Sequence, residues 1–85
     1  MKTMADLVET HDTMRFEVEG ILIDARKAFG DAIPTCLSQS HRAKRTIDCV
    51  NGLPLRERVH WMKRSGVLQR FLVLNEAIRI LENTP

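Results

Sequence analysis

The sequence predicts an all-α fold: a small helical bundle of three to four helices, built as a single domain over residues 1–85 and assembled as a homodimer. Three observations predict it. Apolar side chains recur in alternating steps of three and four over the first third of the chain, turn signals cut the remainder into helix-sized pieces, and the last piece is apolar nearly all round.

The first helix reads from Met4 to Phe29. Met4, Leu7, His11, Met14, Val18, Ile21, Ala25 and Ala28 form its stripe, and Arg26 and Lys27 sit in the last turn, where the helix dipole favours cations. Gly30 supplies a left-handed stop. At ~1.5 Å per residue this helix approaches 40 Å, long for an 85-residue monomer, so part of it is expected to pack on a second chain.

Pro34 pushes Ile33 toward an extended conformation, and Thr35 or Asp31 is the expected cap of a second helix over Cys36 to Val50. Its inward face is Cys36, Ser40, Ala43, Ile47 and Val50, and its outward face carries Ser38, His41, Arg42, Arg45 and Cys49. Cys36 is thus expected in the core and Cys49 at the surface. Asn51 and Gly52 end the segment, and Pro54 opens the next helix.

The third helix is expected to run from Pro54 to about Arg64 with Leu55, Val59 and Met62 inward. Beyond Ser65-Gly66 the apolar phase slips to Val67, Phe71, Leu74, Ile78 and Leu81, which predicts a kink or break and a fourth helix. That last helix also carries Leu68, Leu72, Val73, Ala77 and Ile80 on its flanks. A helix apolar all round must be buried all round, so Val67, Phe71, Leu72, Leu74, Ile78 and Leu81 are expected at the two-fold interface of the homodimer.

The formal charge of +2 conceals an asymmetry. Residues 1–40 hold seven acidic side chains against four basic, net −3, and residues 41–70 hold eight basic against two acidic, net +6. Such a field can steer an acidic partner, or the two halves can neutralise one another within the fold or across the dimer. Two cysteines separated by about 20 Å of helix cannot pair. With no leader-like or membrane-length apolar run, the expected location is the cytoplasm and no membrane partner is implied.

Catalytic chemistry finds little support. Cys36 and His41 point about 140° apart on a helix, and no spacing seeds a tetrahedral metal site. No carboxylate pair, glycine-rich phosphate loop or nucleophile motif is present, so no cofactor and no catalytic residue are assigned. A phosphoacceptor histidine must face solvent, whereas His11 lies on the stripe between Leu7 and Met14, where a structural hydrogen bond is expected.

The strongest functional signal is Arg58, Trp61 and Arg64. They lie three apart on one face, about 120° from Leu55, Val59 and Met62, which sets the chain's one Trp off its expected core between two guanidinium groups. With Arg42 and Arg45 they predict a basic, Trp-bearing face that binds an acidic protein surface. The opposed reading packs Trp61 on helix one or on the dimer mate and leaves the arginines solvated or paired with the carboxylates of helix one. A small regulatory or adaptor module acting by protein binding is therefore the leading expectation. The alternative is a nucleic-acid-binding regulator using the basic 41–70 segment, and a third class is a small helical dimeric enzyme with an unrecognised site. A helix-turn-helix at Ser65-Gly66 is disfavoured, because Leu68, Leu72, Val73 and Ile80 leave too little polar surface for reading bases.

Overall fold

The computed structural model describes Thr3 to Thr84 and contains three α-helices, α1 (Met4–Phe29), α2 (Gln39–Asn51) and α3 (Leu55–Glu82), with no strand among the described residues. Its extents of 43 × 26 × 20 Å make it an elongated bundle.

α1 has the predicted bounds. Thr3 caps its start: the Thr3 hydroxyl accepts from the Asp6 backbone N–H while the Asp6 carboxylate accepts from the Thr3 N–H, a reciprocal capping box. At the far end Gly30 adopts φ 59°, a left-handed value that a side chain would resist. A 3₁₀ turn over Gly30–Ala32 follows, and the Arg26 guanidinium holds it by donating to the Ile33 carbonyl at 2.6 Å.

α2 starts later than the sequence suggests. Its N-cap is Ser38, whose hydroxyl accepts from the His41 N–H, rather than Thr35 or Asp31. The nine residues 30–38 are needed to carry the chain back along α1, since Gln39 at the start of α2 donates to the Arg15 carbonyl at 2.9 Å. The later start leaves Cys36 outside the helix and exposed, whereas Cys49 packs against the core, the reverse of both expectations. Ala43, Thr46, Ile47 and Val50 are the buried face of α2, and the Thr46 hydroxyl is satisfied by donating to the Arg42 carbonyl.

α3 is one continuous helix, so the expected break at Ser65-Gly66 and the fourth helix are absent. It lies antiparallel to α1: Trp61 meets Phe29 at one end, Arg64 meets Asp24, and Asn75 meets His11 toward the other. The phase slip has a different origin. Trp61, Leu68 and Phe71 share one side and are buried, whereas Leu55, Val59 and Met62, expected inward, lie on the opposite side and are 72, 57 and 64% exposed. The helix carries two apolar stripes, and the core takes the one with the aromatic side chains.

Val67 and Phe71, expected at the dimer interface, are buried in the chain's own core, and Leu72 packs against it. Leu74 and Ile78 stay half-buried and Leu81 exposed, and Leu74 lines the groove between α1 and α3.

Gly66 lies mid-helix, exposed, with open space where a Cβ would stand. Gly66→Ala is expected to raise stability by about 0.5–1 kcal/mol through helix propensity and reduced unfolded-state entropy. Urea denaturation followed by circular dichroism checks it. Destabilisation by Gly66→Ala would point to a helix break that only glycine tolerates.

Candidate interaction surface

The structure separates the five residues expected to form one contact face. Trp61 is 7% exposed and lies on Phe29, with ring centroids 5.4 Å apart. The exposed Trp hot spot is therefore corrected: the indole is core, because α3 turns its aromatic side inward. Arg64 lies over that ring, its guanidinium carbon 5.1 Å from the centroid, and reaches Asp24 at 3.5 Å. Arg58 donates to the Leu53 carbonyl at 3.1 Å and closes the α2–α3 turn. The neighbours of α3 have claimed both guanidinium groups.

Arg42 is likewise engaged. Its two terminal nitrogens donate to the two Glu19 carboxylate oxygens at 3.2 and 3.1 Å, and Gln39 donates to the same carboxylate at 3.2 Å. This fork ties α2 to α1. The Arg42 hydrogen bond, reinforced by its charge, holds the Glu19 carboxyl below its ordinary value against the opposing pull of burial. Of the five residues only Arg45 is exposed and without an ion pair among the described residues.

His11, on the core stripe of α1, stacks on Phe71 with centroids 4.8 Å apart and hydrogen-bonds Asn75. This contact ties α1 to α3 near the start of α2, whose Ser40 and Lys44 share a cleft with Asn75. Among the described residues no cluster of three or more His, Cys, Asp or Glu is arranged to hold a metal ion. The surface depressions are open grooves, one along α1 alone and the others where two elements meet. The most apolar, about 460 Å³, runs between α1 and α3 past Leu7, Met14, Val73 and Leu74.

What the fold leaves uncovered is the outward side of α3. Leu55, Val59, Met62, Val73 and Ile80 form the second apolar stripe, with Val73 and Ile80 67 and 55% exposed. Arg56, Lys63 and Arg70, spaced by seven, follow one edge, all exposed and without an ion pair among the described residues. Sequence periodicity contained this surface: Leu55, Val59 and Met62 continue in phase through Gly66 to Val73 and Ile80 once the helix is unbroken. A second exposed apolar group, Phe16 on α1 between Asp12 and Glu19, lies off the predicted stripe. Comparison with protein-family models, curated proteins and solved structures gave no match. No helix among the described residues is long and apolar enough to cross a membrane.

The Glu19–Arg42 fork has a pH signature. Because the folded carboxyl titrates below its unfolded value, its stabilisation is complete above the ordinary carboxylate pKa of about 4.3 and is lost as pH falls through the lowered folded value. Glu19 is 43% exposed, so after solvent screening the contribution is about 1 kcal/mol or less. Thermal melts of wild type and Glu19→Gln should differ by a constant amount near neutrality and converge in acid. A gap that widens in acid contradicts this pairing.

Proposed function

We propose that the protein is a small helical interaction module, acting by binding as a homodimer, with the outward side of α3 as its working surface. One observation carries the reading: the stripe of Leu55, Val59, Met62, Val73 and Ile80 stays in solvent although the same helix buries a full apolar face elsewhere. Exposed apolar side chains gathered on one side of a helix, here interrupted between Met62 and Val73 by Gly66 and Gln69, are typical of a docking face. The basic edge of Arg56, Lys63 and Arg70 selects an acidic partner and repels its own kind. Two α3 helices laid stripe to stripe about a two-fold perpendicular to them would bring these cations together, which disfavours that antiparallel pairing through α3 alone. Free thiols at Cys36 and Cys49 suit a reducing cytoplasm.

Nucleic acid is the second reading, supported by the exposed cations Lys44, Arg45, Arg56, Lys63 and Arg70. The intervening apolar stripe favours protein, since phosphates offer it nothing to cover.

Capture from the native host with wild type and Met62→Asp as baits, half of each sample nuclease-treated, tests the proposal. Met62 is 64% exposed, so its replacement should shift folding stability by no more than about 0.5 kcal/mol. A nuclease-resistant protein held by wild type and lost from Met62→Asp is expected. Equal recovery by both baits contradicts a working stripe, and recovery abolished by nuclease favours the nucleic-acid reading.

A further inference from the structure

We infer that the homodimer forms through the face of the α1–α3 pair opposite α2, and that α1 of each copy lies along α3 of the other. This inference rests on the homodimer reading above and names the acidic surface that meets the basic edge of α3.

The face is defined by geometry. On α1, Arg15 and Glu19 look toward α2, through Gln39 and Arg42; Glu17 lies about 160° around the helix from each of them. On α3, Leu72 borders a cleft with Ser40 and Lys44 of α2, and Arg70 and Leu74 each lie about 160° from Leu72. Leu7 and Met14, with Glu17 and Asp24 about 60° further round the helix, therefore line this face on α1, and Lys63, Arg70, Leu74 and Leu81 line it on α3. Between them runs the apolar groove past Leu7, Met14 and Leu74, floored further along by the buried Ile21 and Val67.

The two sides match level for level. The antiparallel contacts Asp24–Arg64 and His11–Asn75 fix the register of α1 against α3. In that register Asp24 is level with Lys63, Glu17 with Arg70, Met14 with Leu74 and Leu7 with Leu81. Acid thus stands level with base and apolar with apolar. Within one chain Glu17, Lys63 and Arg70 make no ion pair among the described residues.

A two-fold axis running along the bundle between α1 and α3 carries each α1 onto the partner's α3 at the same level. Each acidic group then meets a basic one across the interface, twice by symmetry, and the groove closes into an apolar seam. A two-fold perpendicular to the helices would instead set α1 on α1 and α3 on α3, like charge on like. The charge layout therefore selects one symmetry operator from the two that this face permits. The face is 43 Å long and about 20 Å wide, two helix diameters. It offers on the order of 800 Å² per copy, the size of a standard stable interface. Leu55, Val59, Met62 and Ile80 of the outward stripe and Arg56 of the basic edge stay on the outside of such a dimer, whereas Val73, which lines the groove, and Lys63 and Arg70 are taken up by the seam.

Charge reversal tests it by sedimentation at micromolar concentration, with circular dichroism confirming the fold. Wild type should sediment at twice 9.8 kDa. Glu17→Lys and Arg70→Glu, both at exposed positions, should each weaken the dimer by about tenfold or more, since two attractions become two repulsions. Mixing the two variants should restore dimerisation, because the heterodimer pairs Lys with Glu and Arg with Glu across its two contacts. The double variant E17K/R70E should also dimerise like wild type. Dimeric wild type with both single variants unchanged, or no recovery on mixing, overturns this face while leaving the homodimer standing. A monomeric wild type at these concentrations overturns both.

Discussion

The rotation of α3 about its own axis is the constraint on which the rest of the molecule depends. Both sides of this helix are apolar, and burying Trp61, Leu68 and Phe71 inward decides everything that follows. Trp61 seats on Phe29 and fixes the α1–α3 register at one end. Phe71 stacks on His11 and, with the His11–Asn75 hydrogen bond, fixes it at the other. The choice follows from side-chain size. An aromatic ring buries roughly 150–250 Å², so the side holding Trp61 and Phe71 gains more from leaving water than the side holding Leu55, Val59 and Met62.

Once that rotation is set, the cations sort into two populations. Arg42, Arg58 and Arg64 fall where α1 or the α2–α3 turn offers an acceptor, and they donate to Glu19, the Leu53 carbonyl and Asp24 respectively. Arg56, Lys63 and Arg70 fall on the exposed outer edge of α3, where they make no ion pair among the described residues. The bipolar charge distribution is therefore used in part to staple α2 and α3 to the acidic first helix, and in part stays exposed without an ion pair among the described residues.

Much of this was legible in the sequence, and the exceptions have definite causes. The limits of α1 could be read because periodicity, the basic last turn and Gly30 all agree. The start of α2 could not, because Asp31, Thr35 and Ser38 are all competent caps and only the distance the chain must travel back along α1 selects Ser38. The Ser65-Gly66 pair reads as a break because glycine weakens a helix, but Trp61, Val67 and Leu68 are buried on either side of it and packing overrides the local preference. The direction of Trp61 was hidden for a related reason. Periodicity locates stripes but cannot rank two stripes on one helix, and the mate that decides between them, Phe29, lies more than thirty residues away.

Trp61 is the only tryptophan in the chain, so its fluorescence reports directly on the rotation of α3. The account predicts a blue-shifted native emission that resists acrylamide and shifts to the red only as the protein unfolds. A native emission already at the position of a solvated indole and freely quenched by acrylamide would mean that α3 turns its other face to the core, and the surface described on it would not exist.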